Sequence, residues 1–183
     1  MDDNEIIGLY FQRSEAAIAE SSRKYSGYCG AIARNILHSA EDAEECVNDT
    51  WAKAWDSIPP SRPGRLSVFL GKITRGLAID RYRRSGAQKR GSGEVALCLD
   101  ELAECVSDCS SIAEDYILKD ALERFLRGLK ADSAELFILR YWYMQPIKDI
   151  ARSHSMSEAA LKMKLHRIRA ALKEFLETEG IEI

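Results

Sequence analysis

The sequence predicts an all-α protein made of two small helical domains. Apolar residues recur at the three- and four-residue spacing of amphipathic helices through almost the whole 183-residue chain. Serines and acidic residues precede several of these stretches at the position of a helix cap, and Pro and Gly clusters separate them. The composition, 46% hydrophobic and 30% charged, is typical of a globular protein and argues against disorder.

Several protein classes are excluded by the same inspection. The longest apolar runs fall far short of the about 18 residues that a membrane span needs. The first residues, Met-Asp-Asp-Asn-Glu, are acidic and lack the basic and apolar parts of a signal peptide. We therefore expect a cytoplasmic protein. Its five cysteines have no zinc-ribbon spacing and are expected to be free thiols, while a redox or metal role for Cys98, Cys105 and Cys109 stays open.

The first half of the chain is predicted to contain three helices. Apolar spacing predicts the first over residues 15–37, and Ser39 is placed to cap the second, which runs to about residue 57. The segment 58–64 contains three prolines and a glycine, so the helix cannot continue through it and resumes over residues 66–84. The expected inward residues of the three helices are Ile18, Tyr25, Ile32 and Ile36; Ala43, Val47, Trp51, Ala54 and Ile58; and Leu66, Phe69, Leu70, Ile73 and Leu77.

The rest of the chain is predicted to form a linker and four further helices. Residues 86–111 begin with glycines and serines and continue into an acidic run, since no Lys or Arg occurs from Gly91 to Leu118. We interpret this segment as a flexible acidic linker that has room for a short helix near residues 97–106. Helices then follow over residues 112–128, 133–143, 147–153 and 158–177, with Pro146 at the start of the third and Ser157 capping the fourth. The two domains are therefore residues 1–85 and 112–183.

Charge is strongly segregated along the chain, although the net charge is only −3. Residues 62–90 carry nine basic side chains against Asp80 alone, and residues 140–173 carry eight against two acidic ones. The segment between these blocks is acidic. Two separate basic blocks indicate two contact points on a polyanion such as nucleic acid.

The second basic block has the layout of a helix-turn-helix. A short helix over residues 147–153 is followed by a turn and by a longer helix with a narrow apolar stripe, so that its basic residues lie outside the apolar arc. In such a motif the N-terminal part of the second helix meets base edges, and basic side chains bind phosphates. The expected inward residues are Ile147, Ile150 and Ala151 in the first helix and Leu161, Leu165, Ile168 and Leu172 in the second.

Two blocks of residues, in this order and spacing, carry a resemblance to a known family. The first consists of residues 42–51, Ala54, Trp55, Phe69, Leu70, Ile73, Arg75, Asp80, Arg83 and Arg84. The second consists of Leu129, residues 137–141 and 149–151, Ser157, Glu158, Leu161, Lys162, residues 165–167 and Leu172. They resemble regions 2 and 4 of bacterial RNA polymerase sigma factors of the sigma-70 superfamily, in the small extracytoplasmic-function (group IV) form.

The resemblance implies partners and site residues. The partners are core RNA polymerase, promoter DNA in double-stranded and melted form, and an anti-sigma factor, and the free protein is a monomer. Residues implied in polymerase binding are Asp42, Glu45, Asn48 and Asp49. Residues implied in contacting the minus-ten element and its melted strand are Arg62, Arg65, Lys72, Arg75, Asp80, Tyr82, Arg83 and Arg84. Residues implied in contacting the minus-thirty-five element are Ser157, Glu158, Ala159, Lys162, Lys164, His166, Arg167 and Arg169.

Three small residues depart from the pattern of that family. Gly76 stands where the family often has Asn, and Ala159 and Ala160 follow Ser-Glu where Gly and Thr are common. Neither alanine can hydrogen-bond a base edge, although an Ala methyl can contact a thymine methyl. The promoter sequence therefore stays open.

Other activities were weighed against this interpretation. Neither a Ser-His-Asp nor a Cys-His set is supported by a local motif, and Gly71-Lys72-Ile73-Thr74 lacks the upstream glycine of a phosphate-binding loop. We therefore expect no enzymatic activity, no cofactor and no metal. Two alternatives remain: a stand-alone helix-turn-helix regulator that binds operator DNA without polymerase, and a helical adaptor that binds a partner protein through its basic helices.

Overall fold

In this computed structural model the described residues are 1–84, 93–103 and 112–181, with residues 112–117 described by their backbone only. The described part of the chain is built from helices and contains no strand, so the all-α prediction is confirmed. The chain divides into two compact units, Met1–Gly91 and Ser92–Ile183. No helix among the described residues has the length and apolarity needed to cross a membrane.

The first unit contains four helices. They are α1 (Asp3–Phe11), α2 (Ala16–Leu37), α3 (Ala40–Ser57) and α4 (Leu66–Arg84). The last three agree with the predicted helices, and the Oγ of Ser39 caps α3 by accepting from the Asp42 N–H at 3.2 Å. Helix α1 is absent from the prediction. It begins with a capping box, in which Asp2 and Glu5 each accept from the other's backbone N–H.

The core of the first unit lies where α2, α3 and α4 pack on one another. All five predicted inward residues of α3 are at most 8% exposed. Helix α4, however, buries a stripe of small residues: Gly71, Thr74 and Ala78 are buried, whereas the larger predicted residues Ile73 and Leu77 are only half-buried.

Close packing explains this rotation of α4. A Cβ atom at position 71 would lie 2.3 Å from the hydroxyl oxygen of Tyr28 on α2, so only glycine fits there. On the side facing α3, the Thr50 hydroxyl donates to the Thr74 hydroxyl at 3.0 Å, and Thr74 in turn donates to the Leu70 carbonyl. Small side chains and a satisfied hydroxyl pair therefore set the contact, and the bulky residues lie at its edges.

The second unit contains the remaining helices. They are α5 (Glu94–Ala103), α6 (Ile112–Gly128), α7 (Ala131–Phe137), a π-helical turn (Ile138–Trp142), α8 (Ile147–Ser153) and α9 (Glu158–Thr178). Helices α6, α7 and α8 pack on α9, and α5 packs on the π-helical turn. Pro146 precedes α8, and Ser157 caps α9 by accepting from the Ala160 N–H at 3.2 Å.

Helix α5 occupies part of the segment predicted as an acidic linker, residues 86–111. Val95 and Cys98 are buried, and the Cys98 thiol donates to the carbonyl oxygen of Arg140 at 3.2 Å. Residues 94–103 thus belong to the second unit. The other parts of the predicted linker, residues 86–92 and 104–111, lie outside the described residues.

Candidate nucleic-acid interface

Helix α9 presents a buried apolar stripe and a broad exposed face. The four predicted inward residues of α9, Leu161, Leu165, Ile168 and Leu172, are at most 5% exposed. They occupy an arc of about 60° at 100° per residue, so most of the remaining circumference faces solvent. The helix-turn-helix prediction therefore has the geometry it needs, with α8, the turn and α9 in sequence.

Most of the predicted minus-thirty-five residues lie on this exposed face or at its cap. Lys164 is half-buried at the edge of the buried stripe. The six exposed ones are Ser157, Glu158, Ala159, Lys162, His166 and Arg167.

Arg169 is placed differently from the other predicted minus-thirty-five residues. Its side chain is only 12% exposed and lies 3.5 Å from the Glu101 carboxylate of α5. It also donates a hydrogen bond to the Tyr141 hydroxyl at 2.6 Å, and burial raises the pKa of that hydroxyl. The structure thus places Arg169 in the interior of the second unit, away from Lys162 and Arg167.

A second arginine of the same basic block is wholly buried. The guanidinium of Arg140 lies 2.7 Å from the Glu94 carboxylate and 3.5 Å from the Glu101 carboxylate, both on α5. The Tyr141 hydroxyl donates to Glu101 at 3.0 Å, which links this ion pair to Arg169. We refer to these five residues, Glu94, Glu101, Arg140, Tyr141 and Arg169, as the buried ion cluster. It fixes α5 on the π-helical turn.

The buried ion cluster has no counterpart in the predicted site, although the sequence contains a signal for it. Arg140 is a single charge inside the apolar run Phe137-Ile-Leu-Arg-Tyr141. A charge in a buried segment needs a partner of opposite sign. The acidic stretch from Gly91 to Leu118, which has no Lys or Arg of its own, supplies that partner.

The predicted minus-ten residues lie along α4 and the loop before it. Arg75 and Tyr82 are half-buried, and the other six predicted residues are exposed. A helix of 19 residues is about 28 Å long, so Arg65 and Arg84 mark the two ends of an extended surface. Lys72 and Arg83 lie within about 20° of each other on the helix circumference and form an exposed basic line between these ends.

The four predicted polymerase-binding residues lie on one side of α3. Asp42, Glu45 and Asn48 are exposed and Asp49 is half-buried. The Arg81 guanidinium of α4 binds both the Glu45 carboxylate, at 2.7 Å, and the Asp49 carboxylate. Its hydrogen bond to Glu45 holds the pKa of that carboxyl below the ordinary value. Arg81 is a residue that the predicted site lacks, and its i, i+4 pair of carboxylate partners on α3 is the sequence signal for it.

The described cysteines are buried thiols. Cys29, Cys46 and Cys98 are free and fully buried, and burial raises the pKa of Cys46 to about 11 and also raises the pKa of Cys29. Such thiols are poor nucleophiles at neutral pH. In the described ranges no group of three or more His, Cys, Asp or Glu side chains is placed to hold a metal ion. Cys105 and Cys109 lie outside the described residues.

Comparison with known proteins gives two family matches in one chain. The family described as Sigma-70 region 2 matches residues 23–88, and the family described as Sigma-70, region 4 matches residues 119–172. A curated relative, the probable RNA polymerase sigma factor RfaY of Xanthomonas campestris pv. campestris, is 28% identical over 151 residues. That alignment covers 80% of this chain but only 37% of the relative, so the chain spans less than half of the relative's length.

Among solved structures, the chain is similar to one from the structure of CnrH in complex with the cytosolic domain of CnrY. The two are 18% identical with a TM-score of 0.45, over 96% of this chain and 97% of the other. Similarity at this level has no bearing on function.

Proposed function

We propose, because the chain belongs to the sigma-70 family, that it binds core RNA polymerase and directs transcription initiation at specific promoters. One observation carries this proposal. Region 2 and region 4 match in the order that the family has, and each match falls within a different compact unit of the chain. The protein would be an extracytoplasmic-function sigma factor that acts in the cytoplasm, is a monomer when free, and performs no covalent chemistry of its own.

The first unit would dock on the polymerase and bind the minus-ten element. The exposed acidic side of α3, with Asp42, Glu45, Asn48 and Asp49, would contact the largest polymerase subunit. The loop before α4 and the exposed cations of α4 would bind the melted strand, since cationic side chains along an extended surface can follow a single-stranded backbone. Half-buried Tyr82 supplies an aromatic ring beside them on which a base could stack.

The second unit would bind the minus-thirty-five element with α9 in the major groove. A major groove about 12 Å wide admits one helix, and the N-terminal residues of that helix reach the base edges. Lys162, His166 and Arg167 are exposed where they would contact phosphates. Arg169 would not take part, because its charge is bound by Glu101 inside the unit.

The division of labour follows the predicted domains, residues 1–85 for polymerase and minus-ten binding and residues 112–183 for minus-thirty-five binding. The connecting segment, residues 86–111, would then contribute α5 to the second domain. An anti-sigma factor would control access of the polymerase to the two domains, as is common in the extracytoplasmic-function group.

Transcription in vitro tests this function directly. Purified bacterial core polymerase, the full chain and a fragment library of the source genome are combined, and transcript starts are mapped. We expect defined starts that depend on the protein. The double variant Arg83→Ala, Arg84→Ala should reduce their yield and make binding less salt-dependent, by roughly 0.7 in the log–log slope per lost phosphate contact on single-stranded DNA.

Matched controls and the two alternatives are distinguished in the same experiment. The variant Arg23→Ala, Arg127→Ala removes the same charge from exposed helix positions outside the proposed surfaces, and it should behave as wild type. Duplex DNA binding without co-elution on core polymerase would favour the stand-alone regulator. Absence of both DNA and polymerase binding would favour the adaptor and overturn the proposal.

A further inference from the structure

The centre of the exposed face of α9 is apolar. Met163 is 58% exposed, more than any other large hydrophobic residue in the described ranges. Ala159 and Ala160 beside it are also exposed. None of these three side chains has a strong hydrogen-bond donor or acceptor.

Helix geometry places this apolar patch opposite the core. Ala159 and Met163 are four residues apart and therefore neighbours on one face, and Met163 lies about 160° around the helix from the buried Leu161. All three patch residues lie within the first two turns after the Ser157 cap. This is the part of a recognition helix that faces the base edges.

Cations flank the patch on both sides. On the helix circumference Lys162 lies about 100° to one side of Met163 and Arg167 about 40° to the other, and both are exposed. This arrangement is complementary to a groove with a phosphate backbone along each rim and bases on its floor. The cations would bind the rims, and the apolar patch would face the floor.

Only one feature of the floor fits an apolar side chain. Along the major groove every base edge offers hydrogen-bond donors or acceptors, and thymine alone adds a methyl group. Ala159, Ala160 and Met163 cannot pair with the donors and acceptors. We infer that Met163, supported by Ala159, is a specificity-determining residue that recognises the methyl group of a thymine in the minus-thirty-five element. This inference rests on the proposed function.

Deoxyuridine substitution provides the test, because it removes the thymine methyl and leaves every hydrogen-bonding group in place. Holoenzyme made from core polymerase and the full chain first selects its upstream element from a pool of duplexes with a randomised segment. Each thymine of the selected element is then replaced by deoxyuridine. Loss of one buried methyl is worth about 0.8 kcal/mol, so the substitution should weaken wild-type binding about fourfold at one position at least.

Substitutions at Met163 assign the effect to its side chain. In Met163→Gln, an isosteric polar variant, the ratio of affinities for the thymine and deoxyuridine duplexes should fall to about one. Met163→Leu keeps an apolar side chain and should retain a ratio of at least two. Because Met163 is exposed, both variants should fold like wild type, which amide hydrogen exchange over residues 158–178 verifies.

The outcomes separate this inference from the proposed function. A selected element that is insensitive to deoxyuridine at every position would overturn the role of Met163 and leave the sigma function intact. Retention of the fourfold ratio in Met163→Gln would overturn it as well. If Met163→Gln instead abolished assembly with core polymerase, the patch would be a protein-binding surface and not a base-reading one. Failure of wild type to assemble with polymerase or to select any element would overturn the proposed function together with the inference.

Discussion

Replacing Arg140 by Met should release α5 from the second unit. Removing one partner of a buried ion pair costs about 3–5 kcal/mol, because the remaining charge is left without compensation. In the buried ion cluster the remaining charges are Glu94, which is 30% exposed, and Glu101, which keeps Arg169 at 3.5 Å. Water and Arg169 therefore compensate part of the loss, and we expect a destabilisation of α5 at the lower end of this range, about 3 kcal/mol.

Amide hydrogen exchange of the full chain measures this loss locally. Since 1.4 kcal/mol corresponds to a factor of ten, exchange over residues 94–103 should accelerate about a hundredfold in Arg140→Met. Exchange over residues 40–57, in the other unit, should not change. Arg124→Met is the matched control, because Arg124 is 46% exposed and its pair with Glu179 is worth at most about 1 kcal/mol.

A charge-neutralising variant separates electrostatics from packing. Adding Glu94→Gln and Glu101→Gln to Arg140→Met removes the uncompensated carboxylates, and replacing a whole ion pair by neutral groups is often close to neutral in free energy. The triple variant should therefore recover much of the lost protection over residues 94–103. Unchanged exchange in Arg140→Met, or a triple variant that exchanges as fast as the single one, would refute the reasoning.

Two further predictions concern the first unit. In Arg81→Met the pKa of Glu45 should return to its ordinary value, while that of Glu179, which has a different arginine partner, stays lowered; carboxyl NMR titration measures both. Because Arg81 lowers the pKa of Glu45 in the folded state, the stabilisation is present above the unfolded-state pKa and is lost as pH falls through the folded-state value, so an acid limb that is identical in Arg81→Met and wild type would contradict this coupling. Gly71→Ala should destabilise the unit by about 1–3 kcal/mol, because its Cβ overlaps Tyr28, and Tyr28→Phe should recover part of that loss in urea unfolding. Equal unfolding midpoints for Gly71→Ala and wild type would show that the tyrosine ring moves aside at no cost.

The helices of this chain were predictable where their signals are local. Apolar periodicity and the caps Ser39 and Ser157 place α3 and α9 correctly, because both the cap and the period are contained in the segment itself. Helix α1 also has a local signal, the capping box of Asp2 and Glu5, but nine residues give too few apolar repeats for its period to stand out. The rotation of α4 has no local signal, because it depends on where Tyr28 of another helix lies.

The same distinction applies to the predicted site. The exposed positions of Lys162 and Arg167 follow from the helical period and the buried stripe alone. The interior positions of Arg140 and Arg169 depend on α5, which is more than 30 residues away in sequence and was predicted as linker. Tertiary contacts thus decide which cations of a basic block face solvent, and a charge count cannot.

This placement changes the electrostatics expected of the second unit. Residues 140–173 contain eight Lys and Arg residues, and two of them, Arg140 and Arg169, are bound by carboxylates of α5. At most six of these cations can therefore neutralise phosphates. With about 0.9 per phosphate on duplex DNA, the slope of log K against log salt for this block is no steeper than about −5.4, whereas the charge count alone would allow about −7.2. The acidic segment before α6 thus limits DNA affinity by forming ion pairs inside the folded unit, in addition to any repulsion it exerts on DNA.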